Sequence, residues 1–171
     1  MAATSTTLAP AAQPTSVTRK LLTCGVIAGP LFIVAGLLQA YTRDGFDLKR
    51  HPFSMLSLGD LGWIQIANFV ITGLLFIACA AGMRRVLYPG RARTWGPLLI
   101  GVFGASLIAG GVFLADPAMG FPPGAPEGPP ASVSAMGIVH GLAFLVGMSS
   151  LIAAFFVFAG RFAVAGDRAW A

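Results

Sequence analysis

Residues 21 to 40, LLTCGVIAGPLFIVAGLLQA, run for twenty positions without a charge. At about 1.5 Å per residue, such a run makes a helix of about 30 Å, the thickness of a bilayer's hydrocarbon core. At that depth every backbone N–H and C=O must find its partner inside the segment, so the run has to be helical. A cleaved signal peptide needs an apolar core of only about 7 to 15 residues, so this is read as an uncleaved first span. Comparable runs follow at about 62–83, 96–115 and 134–160. Charged residues make up 10% of the chain and hydrophobic ones 56%. A soluble domain carries about a quarter charged residues, so this chain cannot cover a water-facing globule. The expected fold class is all-α and integral to the membrane, a bundle of four transmembrane helices.

The connections differ in charge. RRVLYPGRAR, residues 84 to 93, carries four arginines and no acid. The 41–61 connection balances Arg43, Lys49 and Arg50 against Asp44, Asp47 and Asp60, while 116–133 holds only Asp116 and Glu127. Arginine-rich short loops stay on the cytoplasmic side, which places both termini in the cytoplasm and the other two loops outside. The expected location is the inner (plasma) membrane, crossed several times. Residues 1–18, small and uncharged, are expected to be a disordered cytoplasmic tail. Residues 19–162 form the membrane domain and 163–171 a short cytoplasmic tail. A net charge of +5 would suggest nucleic acid if it lay on a soluble face. Here it lies between apolar spans as a topology signal, so membrane lipids are the expected partners and nucleic acid is not. Cys24 and Cys79 fall inside spans, where they read as small packing residues rather than as a disulfide framework.

Gly25 with Gly29 and Gly137 with Gly141 make two GxxxG spacings, and Gly101, Ala105 and Ala109 repeat the pattern in the third span. Small residues at this spacing let helix backbones approach where lipid gives no hydrophobic drive. They predict packing and leave the oligomeric state open.

Polar side chains inside spans cost free energy and so need a reason. Gln65, Asn68 and Thr72 share one face of the second span, Gln39 ends the first, Asp116 ends the third, and His140 lies near the start of the fourth. All fall toward the outer side, with Arg50, His51 and Asp60 in the loop above. The expected site is therefore a polar one near the extracytoplasmic face. Arg50, Ser54, Gln65, Asn68 and Asp60 are its binding candidates, and His51, Asp116 and His140 its acid–base candidates. The alternative is that the amides join helices and the loop charges are solvated.

These residue types bear on several chemistries. A Ser-His-Asp hydrolase could draw on Ser54 or Ser57, but no G-x-S-x-G turn is present. His51, His140 and Asp116 lack metal-ligand spacing, and His51 sits in a loop rather than on a haem-facing helix. No motif calls for a cofactor. An acid–base isomerase or cyclase acting on an isoprenoid or lipid-like molecule stays open. Asp116 or Asp60 would donate the proton, and Phe46, Phe53, Phe113, Phe121 and Trp63 would offer cation–π contacts. The competing reading is non-enzymatic binding of a lipid, an apolar small molecule or a partner.

RHPFSMLSLGDLGW, residues 50 to 63, divides on inspection. Pro52 suits a first helical turn and Gly59 a position just past a helix end, so PFSMLSL predicts a short interfacial helix. Asp60 is then expected to cap the second span, with Trp63 at headgroup level. Arg50 and His51 have no such explanation. The stretch DPAMGFPPGAPEGPP, residues 116 to 130, holds six prolines, which exclude a helix and favour a stiff extended connection or a lid.

The segment TRDGFDLKRHPFSMLSLGDLGWIQIANFVITGLL, residues 42–75, resembles the bacterial membrane family catalogued as domain of unknown function 998. So do GVFLADPAMGFPPGAP, residues 111–126, and His140 in GIVHG. The resemblance runs from about Leu21 to Phe162 and implies a polytopic membrane protein with no activity attached. It sets Arg50, His51, Pro52, Ser54, Gln65, Asn68, Asp116, Pro117 and His140 at landmark positions. It also implies a further helix pair after RFA, so the chain, ending at Ala171, is expected to be a short or truncated member.

Overall fold

A computed structural model describes residues 14–87, 92–130 and 132–164. The order is α1 (Ser16–Thr42), a 3₁₀ helix (Phe53–Ser57), α2 (Gly62–Val86), α3 (Ala92–Val112) and α4 (Ala135–Val164). All four α-helices are long and apolar enough to cross a membrane. The shortest, with 21 residues, measures about 31 Å and so matches a hydrocarbon core. The N-terminal tail expected over 1–18 and the C-terminal tail over 163–171 fall mostly on 1–13 and 165–171, outside the described residues. Residues 88–91 of the arginine connection lie outside them too.

The helices run past the apolar runs that announced them. Thr15 accepts the Thr18 N–H at 3.3 Å and starts α1, ahead of the charged pair Arg19 and Lys20. Hydropathy marks the lipid-facing length of a helix, whereas a cap decides where the helix begins. The third helix shows the reverse: it ends at Val112, leaving Asp116 in the connection beyond it. The second opens at Gly62 with Leu61 at the cap position and no side-chain cap bond. Asp60 therefore does not cap it; the turn closed by Gly62 N–H on the Gly59 carbonyl moves the helix start two residues beyond the aspartate.

Each helix packs on its sequence neighbour: α1 on α2, α2 on α3, α3 on α4. Among the described residues α1 and α4 do not touch. The four thus stand in a row with α2 and α3 inside. Within their most apolar windows 39% and 33% of α2 and α3 residues are buried, against 11% and 17% for α1 and α4.

The row closes at glycines. A Cβ on Gly73 would meet the Gly104 carbonyl at 2.5 Å, and one on Gly104 would meet the Gly73 carbonyl at 2.6 Å, so α2 and α3 touch backbone to backbone. Gly82 likewise admits α1 at Leu21, and Gly111 admits the Phe69 side chain of α2. Of the two GxxxG spacings, only the first glycine of each meets a neighbour: Gly25 against Cys79 and Gly137 against Asp116, with nothing within 4 Å of Gly29 or Gly141.

The connections 43–61 and 113–134 meet at the same end of the row, here called the loop end. The predicted short helix is the 3₁₀ segment, with Pro52 before it and Gly59 at φ +73° after it, a conformation that favours glycine. Arg43 fastens this segment to the end of α1, donating to the Leu56 carbonyl at 3.2 Å and the Leu58 carbonyl at 2.6 Å. The proline-rich loop is folded rather than extended. Phe121 (1% exposed) sits in a cluster with Met55, Leu58 and Ala118, and hydrogen bonds from Met119 and Gly120 to the Gly128 and Pro126 carbonyls fold the loop back on itself. Six prolines cannot donate, so the turns are held by the N–H groups that remain.

Candidate functional site

The candidate residues gather in four places rather than one. His51 is buried in the loop end between the rings of Phe46 and Phe121, with centroids 5.2 and 5.5 Å away. Its Nδ1 accepts the Asp47 backbone N–H at 2.8 Å. Nε2 lies 2.9 Å from the Met119 carbonyl, which can only accept. The ring is thereby fixed as the neutral Nε2–H tautomer, and both nitrogens are engaged in tying one loop to the other. Beside it Arg50 pairs with Glu127 at 3.3 Å. This pair is well exposed and adds little to stability. Arg43 completes the clasp with its guanidinium 5.5 Å from the Phe121 centroid, so the chain's own cation occupies that aromatic face. Burial lowers the Arg43 pKa and nearby Asp60 raises it in part; Asp60 is exposed and makes no hydrogen bond among the described residues.

Gln65 and Asn68 belong to a buried ladder between α1 and α2. Gln39 Nε2 donates to the Ala35 carbonyl at 3.0 Å and to Gln65 Oε1 at 2.7 Å. Asn68 Nδ2 donates to the Phe32 carbonyl and to Gln65 Oε1, both at 3.2 Å, and Thr72 Oγ1 donates to Asn68 Oδ1 at 3.4 Å. The two backbone carbonyls accept only, and so fix which end of Gln39 and Asn68 carries nitrogen. Gln65 Nε2 and Gln39 Oε1 remain without partners. The ladder joins two helices.

Asp116 stands at the start of α4. Its Oδ2 accepts the Ser134 N–H at 2.9 Å, and the Ser134 hydroxyl accepts the Gly137 N–H at 3.0 Å in the manner of an N-cap. The Ser134 hydroxyl and then its backbone N–H hold the Asp116 carboxyl below the usual carboxylate range.

Ser54 and His140 do come together. They line a half-open cleft of about 60 Å³ where the 3₁₀ segment meets α2, α3 and α4, several times the room one water needs. Its wall is otherwise apolar, with Phe69, Phe103, Phe144 and Met148 among its side chains, and Ser106 adds a second hydroxyl. His140 Nδ1 lies 2.8 Å from the Phe113 carbonyl and 3.2 Å from that of Gly110. These are carbonyls at the end of α3, which have no partner within the helix. Nδ1 must donate to them, so in the neutral ring Nε2 is the acceptor, and it has no partner among the described residues. Of the candidate histidines, His140 is the one with a nitrogen to offer a ligand.

No hydrogen bond joins His51, Asp116 and His140 to one another. Sequence reasoning missed the accepting carbonyls of Met119, Gly110 and Phe113, since a carbonyl has no letter of its own. It also missed Ser106, an unremarkable polar residue until its neighbours are known. Arg43 had been counted only as a loop charge; its place one residue past a helix end, where cations favour carbonyls, was the available signal. Among curated proteins and among solved structures, nothing matches the chain. Over residues 26–171 it matches the family described as Protein of unknown function (DUF998), and the protein belongs to that family.

Proposed function

We propose that the protein is a lipid-binding component of a bacterial plasma membrane, with both termini cytoplasmic and the loop end outside, and that the Ser54–His140 cleft is its binding site. The orientation rests on charge. Among the described residues Arg84, Arg85, Arg93 and Arg161 lie at one end without an acid, whereas Arg43, Lys49 and Arg50 at the other end are outnumbered by Asp44, Asp47, Asp60, Asp116 and Glu127, an asymmetry that supports a cytoplasmic arginine end. The observation that carries the binding reading is the His140 ring, which lines an apolar cleft and is anchored through Nδ1 to the end of α3, so that the neutral ring has Nε2 to offer as an acceptor. A hydroxyl or amide headgroup would donate to Nε2 while its chain lies along Phe144 and Met148.

This geometry favours binding over acid–base conversion. His51 has no free nitrogen, and Asp116 is held ionised by Ser134, which makes it a poor proton donor at neutral pH. The test is photolabelling in membranes with a hydroxyl-headed lipid bearing a diazirine on its chain. His140→Asn is the informative variant, because its amide nitrogen reproduces the Nδ1 donor and removes the Nε2 acceptor. Labelling should map to the 140–148 segment and fall at least tenfold in the variant. Equal labelling would remove His140 from the site. A lipid profile altered by wild type but not by His140→Asn would instead establish conversion.

A further inference from the structure

A second groove lies at the opposite, arginine-bearing end, on the lipid-facing side of the contact between α2 and α3. Its volume is about 330 Å³, at the lower end of small-molecule sites, which run about 300–1,000 Å³. Its bed is made of Ala80, Ala81, Gly101 and Ala105, with Leu98 at its side and Arg84 at its end. From Pro97 to Ala105 the groove follows α3 for about 12 Å, the length of a partial acyl chain.

Among the described residues the charge at this end has one sign. Arg84 and Arg85 close α2, and Arg93 and Arg161 lie at the same end. Every acid of the described residues is at the loop end. Arg84 is exposed and has no ion pair or hydrogen bond among the described residues. A guanidinium at headgroup depth, above a shallow apolar trough, matches an ester phosphate joined to a hydrocarbon chain.

We infer that this groove holds one anionic glycerophospholipid, with an acyl chain on the Ala80–Gly101–Ala105 bed and the phosphate on Arg84. The site is separate from the Ser54–His140 cleft and stands whether or not that cleft binds anything. Depth and charge together specify the ligand: a free anion would leave the trough empty, a lipid without phosphate would leave Arg84 unpaired, and a zwitterionic headgroup would bring its own ammonium group against the arginines of this end.

The test uses the full chain in detergent, with bound lipid counted by native mass spectrometry after addition of phosphatidylglycerol or phosphatidylcholine of identical chains. Wild type should retain phosphatidylglycerol at least fivefold over phosphatidylcholine. Arg84→Gln should lose that preference, and Arg85→Gln, which changes net charge equally, should keep it. Gly101→Leu should lose both lipids at unchanged helical content; a Cβ there meets only the Ala80 Cβ, at 3.8 Å, so the side chain fills the groove and not a helix contact. Loss of preference in Arg85→Gln as well as Arg84→Gln would show diffuse charge and overturn the site. So would retention of lipid by Gly101→Leu, or competition by millimolar inorganic phosphate.

Discussion

His51 and His140 hold their protons on opposite ring nitrogens, and each does so because a backbone carbonyl demands it. His51 keeps Nε2–H for the Met119 carbonyl, while His140 keeps Nδ1–H for those of Phe113 and Gly110. Nitrogen-15 spectra of histidine-labelled protein should show an unprotonated Nδ1 in one ring and an unprotonated Nε2 in the other. Two rings of the same tautomer would refute one of the two assignments. The roles also differ on substitution. His51→Ala removes both bonds that tie the loops and opens a gap beside Phe121; it should cost about 1–3 kcal/mol and speed proteolysis within 43–61 and 116–130. Unchanged cleavage would show that the loops hold together without it. Both histidines stood out in the sequence because a polar residue in an apolar chain needs a reason. Their partners lie 68 and 27 positions away, and a carbonyl offers no sequence signal.

At the scale of elements, caps decide what hydropathy leaves open. The junction between α3 and α4 is held by two such devices: His140 covers the carbonyl end of α3, and Asp116 with Ser134 covers the N–H end of α4. The Asp116 pKa is lowered in the folded chain, so its ionised form contributes stability that is fully present above the unfolded carboxylate value of about 4. That contribution is lost as pH falls through the lower folded value. Below about pH 4, wild type should therefore lose thermal stability with a component that Asp116→Asn lacks. Parallel pH profiles for the two proteins would show that the carboxylate contributes nothing to the cap. Asp60 is the residue whose pattern points to a cap and which makes none: the turn closed by Gly62 on Gly59 puts Leu61 at the cap position, a shift of one residue that composition cannot register.

For the whole molecule, the amide ladder and the charge asymmetry matter most. The Gln65–Asn68–Thr72 face was visible in the sequence as an i, i+3, i+7 set; that it meets Gln39 on α1 was not, because lipid and protein offer similar apolar surroundings to a helix. Gln65→Met removes two buried bonds but also an unpaired Nε2. It should destabilise by about 0.5–1.5 kcal/mol, read as a lower unfolding midpoint in detergent. A loss of lipid photolabelling without that shift would reassign the ladder from joining helices to binding. Orientation has its own measurement: Lys49→Cys, exposed at the loop end, should react with an impermeant maleimide in intact cells. Protection until lysis would invert the topology and carry the outer cleft with it.

The sequence by itself determined that this chain makes four membrane-length helices, with connections that are rich in unbalanced arginine at one end and balanced or acidic at the other. Both follow from single-residue quantities, the transfer of side chains into hydrocarbon and the sign of their charge, which add along the chain. The tertiary structure alone decided that the helices stand in a row, that His140 and not His51 lines a cleft with a ring nitrogen unpartnered among the described residues, and that the proline-rich loop buries Phe121. These depend on pairs: a ring with a carbonyl, a glycine with a facing backbone, a guanidinium with an aromatic face. Pairing is set by where helices end and which faces meet, and no sum over residues contains it.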